Sequence, residues 1–541
     1  MREIKFEEMT LKQKLSFVHN ATLNVWCTQE DEDYVIELVK KRAIGAVWVQ
    51  WSWVNGDLIK SRIKRIREAA DYPILIITDA ESGFDSHRIG YANALGRVQS
   101  DKYSYAFGKK LGVVAREIGY NVVCNPLMDI SRGSNRSLGN DIHEIAKLAK
   151  AQARGMHDAG ILTVGKHYPS ALRDSAVDTH LMEGHSTQTR EDLVATSLYA
   201  YGELIKEDLL DGVMSAHTVM DSIDPNSPAS LSKDVLNIIR EEFGFKGFII
   251  SDALCMMGIR AKYGPHDPMG ICIEAGNDLA NMYDPYGVEI LQKAMEDCFE
   301  KGLLSEKELD RAVKTVLAAQ HKVVELEKTM ATSVTEEEEY LAQNIDADGV
   351  CAIVEDGLDL TIPRDGKNYF IIVASNEYTN EQSQVGADTF SGNWHNPALI
   401  ERKIKELFPN SETYIMHQFP TQGHCLNVIN NTFGYDNLVF ITYSEFLAYT
   451  GPECFTRRFL NVINSMQYTN RVSTIIHYGN AVVMEELPHI SRKIFGGCST
   501  KSTLACLEVL AGEREPKGKL PYKVNFKITT KQNRLPYGGC G

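Results

Sequence analysis

The chain has 541 residues, more than one ordinary domain holds, and its 43% hydrophobic and 24% charged residues are the balance of a globular protein with ample core material. A formal net charge of -15 argues against binding a phosphate backbone, which needs Lys and Arg patches, and points to a neutral or polar small ligand instead of nucleic acid. No apolar leader and no run of about 18 apolar residues is read, so neither a signal peptide nor a membrane span is expected. Eleven cysteines without a Cys-x-x-Cys pair read as free thiols of a reducing cytoplasm.

Residues 10–18 open as a helix, because Thr10 and Gln13 stand at capping-box spacing ahead of Leu15 and Val18. Short apolar runs then alternate with helical patterns. The runs are Ala43–Trp53, Tyr72–Thr78, Asn121–Leu127, Gly160–Gly165, Gly212–Ser215, Gly247–Ser251 and Ala275–Met282. They are continuous, not alternating, as parallel strands buried on both faces are. Between them, 234–243 places Val235, Leu236, Ile239 and Phe243 on one helical face. Residues 305–326 begin with a Ser305/Glu308 capping box and carry Leu309, Val313, Val316 and Leu317. This predicts an α/β chain whose residues 1–330 form a (β/α)8 TIM-type barrel, with a doubly wound open sheet as the alternative.

The barrel is favoured because polar residues gather at the ends of the runs: Asp79 and Glu81, Asp129, Lys166 and His167, His217, Asp252 and Asp278. Strand C-termini build the active site of such barrels. Residues 331–348 read as an acidic linker with a Glu336–Glu339 charge run, a solvated helix at most. A second α/β sandwich-like domain is expected over 349–541, with runs at Tyr369–Ala374, Thr413–His417, Leu438–Tyr443 and Val472–His477.

Three segments carry candidate chemistry. In Gly244-Phe-Lys-Gly-Phe-Ile-Ile-Ser-Asp252-Ala-Leu-Cys-Met256 an apolar strand ends on a carboxylate, placed either to attack or bind a ligand or to cap the next helix. In Lys166-His167-Tyr-Pro through Asp178-Thr-His180 an Asp two residues before a His can bond the imidazole and fix its tautomer, so that it donates a proton near neutral pH. The bland alternative is a surface loop with incidental charges. In Asn125–Asp141, Arg136 offers a planar fork of donors for hydroxyls, or simply staples its loop. His185 follows His180 without metal-ligand spacing, and no P-loop, Gly-x-Gly-x-x-Gly or Gly-x-Ser-x-Gly is present, so no metal or nucleotide cofactor is expected.

Taken in order, these segments resemble glycoside hydrolase family 3, in its β-N-acetylglucosaminidase (β-hexosaminidase) branch. Thr78-Asp-Ala-Glu-Ser-Gly83 is similar to that branch's Asp-Gln-Glu-Gly-Gly turn, and Asn135-Arg-Ser-Leu-Gly139 to its Glu-Arg-Ser-Phe-Gly. Lys166-His-Tyr-Pro169 with Asp178-Thr-His180 resembles its catalytic loop, Phe248–Met256 its nucleophile strand, and Ala275-Gly-Asn-Asp278 its Ala-Gly-x-Asp. Ala511–Pro521 resembles the close of the family's second domain. The resemblance implies a retaining enzyme that releases a terminal sugar from a small saccharide. Asp252 would be the nucleophile, His180 the acid/base and Asp178 its partner, while Asp79, Arg136, Lys166 and His167 would hold the sugar. A sugar phosphorylase or a β-glucosidase on the same scaffold, and a non-catalytic glycan-binding protein, are the other readings.

The chain also departs from the pattern. Ser170-Ala-Leu-Arg173 replaces the branch's Gly-His-Gly, Ala80 replaces the Gln after Asp79, and Ala253 replaces the second Asp of Ser-Asp-Asp. The family's early substrate Arg finds only His87 or Arg88.

Overall fold

The computed structural model describes residues 4–51, 55–84, 88–172, 177–282, 287–374, 395–444, 453–469 and 471–528. Strands β1 (Asn20–Leu23), β2 (Ala46–Val49), β3 (Leu75–Thr78), β4 (Val122–Val123) and β5 (Leu162–Tyr168) lie side by side in sequence order, followed by β7 (Gly212–Ser215) and β10 (Phe248–Ser251). All are parallel. The sheet has no free edge at its ends: Leu279 bridges to Ile250 and Ala280 to His19, so a two-residue eighth strand closes the ring. An open doubly wound sheet cannot make both bridges. Beside the barrel, β6 (Gly184–Ser186), β8 (Thr218–Met220) and β9 (Asp224–Pro228) form a small separate sheet.

Alternation along the strands builds two cores. Trp48, Ile77, Val122, Val164, Met214 and Ile250 pack inside the barrel. Their neighbours Val47, Ile76, Val123, Val213 and Ile249 pack outward against helices. Buried on both faces, such strands must read as unbroken apolar runs. Strand β1 is the exception. Its Asn20 lies buried and donates to Asn281 Oδ1 across the closing seam at 3.0 Å.

The helices form where their caps indicated. Thr10 and Gln13 make the reciprocal capping box ahead of Leu11–Phe17. At Ser305 only half of the expected box exists. Its hydroxyl accepts from Glu308 N, but its own N–H donates to Glu274 Oε2 at 2.8 Å, because Glu308 turns to Arg311 instead. Of the face read over 234–243, Val235, Leu236 and Ile239 are buried, and Phe243 half-buried covers Gly202.

The expected linker is a capped helix, Glu336–Asp348, packed on Asp101–Ile118. Its charge run is not merely solvated: Glu338 pairs with Lys109 and Glu339 with Lys110, each at 2.8 Å. Asp346 at its far end accepts from Gly90 N at 2.9 Å. A six-stranded sheet follows, made of β11 (Cys351–Val354), β12 (Asn368–Ala374), β13 (Glu412–His417), β14 (Asn437–Ser444), β15 (Thr474–Gly479) and β16 (Arg492–Gly496). Its order is β11-β16-β15-β14-β12-β13, parallel except for the β11–β16 pair. Helices cover both faces, giving the expected sandwich. No helix among the described residues is long and apolar enough to cross a membrane.

Candidate active site

The C-terminal ends of β3, β4, β5, β7 and β10 bring one constellation together. Lys166, the third residue from the end of β5, is wholly buried and reaches Asp79 at 2.5 Å and Glu81 at 2.7 Å, both just beyond β3. Burial disfavours its charge, and the two carboxylates more than offset that, holding it protonated. Glu81 also takes a two-point contact from Arg136, with Nε at 2.9 Å and Nη2 at 2.5 Å. Burial alone would raise the Glu81 pKa; Arg136 and Lys166 hold it well below the usual carboxylate range.

His167 turns toward the same cluster as Lys166, although consecutive residues of a regular strand point apart. The β5–β7 register shifts between Lys166 and Tyr168, and the intervening Lys166–His167 peptide is cis. His167 Nδ1 lies 2.6 Å from Asp129 Oδ2, and its Nε2 lies 3.2 Å from Arg136 Nη2. With Nδ1 donating to the carboxylate, Nε2 is left to accept from the guanidinium.

Asp252 follows β10 directly. It does not cap the next helix, whose N-cap is Met256. Its Oδ1 accepts from Ala253 N at 2.7 Å. Burial alone would raise its pKa, but His167, His217 and His180 together bring it down to about 2, so the carboxylate is ionised at neutral pH. His217, just past β7, lies behind it. Its Nε2 is 3.1 Å from the Ala253 carbonyl, to which it must donate, leaving Nδ1 to accept from the Ser230 hydroxyl at 2.8 Å. Burial lowers the His217 pKa although Asp252 pulls the other way.

The loop after β5 supplies the last pair. His180 Nδ1 lies 2.7 Å from Asp178 Oδ1, and the same oxygen accepts the His180 backbone N–H at 3.0 Å. Asp178 is 1% exposed at its side chain and His180 21%, so the carboxylate is sealed in while the ring keeps one face open. The His180 carbonyl accepts from Met257 N at 3.0 Å, which ties this loop to the segment after Asp252.

Second-domain residues grip the loop that carries Arg136. Asn480 Nδ2 donates to the Gly133 carbonyl at 2.7 Å, and Asn135 Nδ2 donates to the Ser444 carbonyl at 3.1 Å and to Glu453 at 3.2 Å. Arg132 pairs with Glu485.

Asp79, Arg136, Lys166, His167, Asp178, His180 and Asp252, all expected at the site from sequence, therefore lie at the barrel mouth. Glu81, Asp129 and His217 were visible as polar residues beyond apolar runs but carried no assigned role. Their partners, Arg136 and Lys166 for Glu81, are what place them. Asp278 is a correction. It does not end the eighth strand but precedes it, at the opposite end of the barrel, wholly buried between Arg240 at 3.1 Å and Arg311. The Ala275–Met282 run misled because its first residue closes the helix Asp267–Ala275 and only Leu279–Ala280 bridge as a strand. His87 and Arg173 lie outside the described residues, and Arg88 stacks 6.0 Å over the Tyr91 ring. Cys255 packs against the barrel core, as expected.

Residues 9–319 match the model of the glycosyl hydrolase family 3 N terminal domain. The chain is 30% identical over 237 residues to a β-hexosaminidase of Tolumonas auensis, an overlap of 41% of this chain and 70% of that one. Among solved structures, a glycoside hydrolase family 3 β-N-acetylglucosaminidase from Paenibacillus superposes with a TM-score of 0.79 at 21% identity, over 96% of this chain and all of the other. A β-glucoside phosphorylase bound to a fluorinated glucose superposes at 0.73 with 20% identity, over 96% and 95% of the two chains. At these identities the likeness to both structures is one of fold.

Proposed function

The chain belongs to glycoside hydrolase family 3, and from that premise we propose that it is a retaining exo-acting enzyme releasing a terminal β-linked N-acetylglucosamine, or a related hexosamine, from a small saccharide. The observation that carries this is the sealed Asp178–His180 pair on a loop tied to the segment that follows an ionised Asp252. The β-hexosaminidase relatives support the choice of sugar.

In this reading the Asp252 carboxylate attacks the anomeric carbon. The bond from that carbon to the glycosidic oxygen breaks, and the oxygen takes the proton from His180. Water then attacks the same carbon, gives a proton to His180, and Asp252 leaves as a carboxylate, so configuration is retained. Asp178 holds the ring by Nδ1 and stabilises the imidazolium, keeping Nε2 for the reaction. Asp79, Lys166, His167 and Arg136 present the polar groups that hold the sugar ring. We place the catalytic unit at residues 1–330, with 331–348 leading to the second unit at 349–541. Cysteines that form no disulfide among the described residues support work in a reducing cytoplasm.

The test is hydrolysis of an aryl β-N-acetylglucosaminide by the wild type and by Asp252→Asn. We expect the variant to lose about 10⁴-fold or more in kcat while keeping its fold; wild-type-like turnover would sink the assignment. Phosphate belongs in the same assay. A histidine acid/base repels an incoming phosphate less than a carboxylate would, and the phosphorylase likeness in fold makes that alternative concrete. Sugar 1-phosphate as the product would replace water with phosphate in the second step.

A further inference from the structure

Leu181, Met182 and Met257 are three exposed apolar side chains, at 37%, 56% and 51% exposure, gathered around one residue, His180. Exposed apolar side chains scattered singly need no explanation. These are joined by backbone contacts. Leu181 N and Met182 N both donate to the Asp178 carbonyl, at 3.0 and 3.2 Å, and Met257 N donates to the His180 carbonyl at 3.0 Å. A Cβ added at Gly258 would stand 3.0 Å from the Met182 carbonyl carbon, so the two segments lie in direct contact. Asp178 thus organises both the imidazole and the apolar pair that follows it.

We propose that Met182 and Met257, with Leu181, form part of the surface that receives the leaving group, and that it favours a leaving group presenting a hydrocarbon face. This rests on the reading of His180 as the acid. A proton donor must come within about 2.6–3.2 Å of the oxygen it protonates, so whatever is bonded to that oxygen lies beside His180. Among the described residues, the exposed apolar side chains on the two segments that meet at His180 are thioether and isobutyl groups. Thioether side chains adapt to varied apolar shapes, and an alkyl or aryl group covering them removes apolar surface from water. A sugar leaving group would meet these side chains with a face of ring C–H groups and keep its hydroxyls in water.

The experiment compares kcat/KM for three glycosides of the same terminal sugar: methyl, octyl, and a disaccharide whose leaving group is a second sugar. The proteins are the wild type, Met182→Gln, Met257→Gln and the double variant, with Asp252→Asn as control. Gln keeps the length of Met and removes its apolar character. We expect the wild type to favour octyl over methyl by about tenfold or more, the gain available from a few buried methylenes. Each Gln should cut that ratio several-fold, and the double variant should bring it near one. A wild-type ratio near one, or a ratio untouched by both substitutions, overturns the subsite and leaves the glycosidase standing. A disaccharide that outruns the octyl glycoside, and falls in parallel with it in the variants, overturns the hydrocarbon assignment. Failure of the wild type to cleave any of the three overturns the glycosidase reading as well.

Discussion

The barrel mouth and the second domain both hold clusters of histidine, and they treat them in opposite ways. At the mouth, His167 and His180 each bond a carboxylate through Nδ1, at 2.6 and 2.7 Å, with the ring partly open to the cleft. In the second domain, His477 lies between the hydroxyls of Thr442 at 2.9 Å and Ser444 at 3.1 Å, and His395 bonds the Val373 carbonyl at 2.7 Å. With neutral partners and full burial, their pKa values fall to about 3 and about 4. A carboxylate bonded at Nδ1 fixes the orientation of the ring. Hydroxyl and carbonyl partners in a dry interior leave the charged form of the ring disfavoured. His217 stands between the two classes: it is bonded to neutral groups, yet it faces the Asp252–Ala253 peptide and so belongs to the site.

The strongest way to break this comparison is Asp178→Asn. The amide keeps the shape but removes the negative charge that stabilises the imidazolium formed in the reaction, and we expect kcat/KM for an aryl hexosaminide to fall by about 10³-fold with the thermal midpoint little changed. Activity within threefold of wild type would make the Asp178–His180 bond a structural staple, of the same kind as the second domain's.

A smaller effect is expected in acid. A histidine whose folded pKa lies below its unfolded value stabilises the protein fully above the unfolded pKa, near 6.5. That contribution is lost as pH falls through 6.5 toward the folded value. For His477, held at about 3, the loss reaches about 3 kcal/mol by pH 4. Urea unfolding of the wild type and of His477→Gln between pH 7 and 4 reads this directly. The variant should lose about one proton from the slope of stability against pH. An unchanged slope would show that His477 is not the buried neutral ring described.

The smallest effect sharpens the link between the regions. Asn480→Asp keeps the oxygen that caps Val482 N at 2.9 Å and removes the donor to Gly133. The Gly133 loop carries Arg136, so KM should rise several-fold with kcat less affected, for a loss of about 1 kcal/mol. A fall confined to kcat would point to a different route of influence.

Much of the architecture was legible because barrel strands leave a strong mark. Val, Ile and Ala buried on both faces make runs that end at Gly, Pro or Asp; β2, β3, β4, β7 and β10 all fall inside runs read this way, and β5 begins inside one but runs on past Gly165 to Tyr168. Strand β1 was missed for the converse reason: Asn20-Ala-Thr-Leu23 is half polar, with Asn20 bonded across the seam to Asn281. β11 and β16, which pair with each other at one side of the second sheet, were missed too. Cys351–Val354 is flanked on one side only and partly open to solvent.

The sequence by itself determined what depends on neighbours along the chain. The recurrence of apolar runs between helical patterns set two α/β regions, the Thr10–Gln13 spacing set a helix start, and the two-residue step from Asp178 to His180 set that hydrogen bond. Only the tertiary structure decided which strand end faces the cleft, and so put Asp278 at the far end of the barrel. It alone decided that Lys166 meets Asp79 across 87 residues and that Asn480 reaches Gly133 across 347. A local hydrogen bond is set by backbone geometry that a few residues carry. A long-range one exists only once the ring has closed and the second sheet has docked, and no spacing in the chain records it.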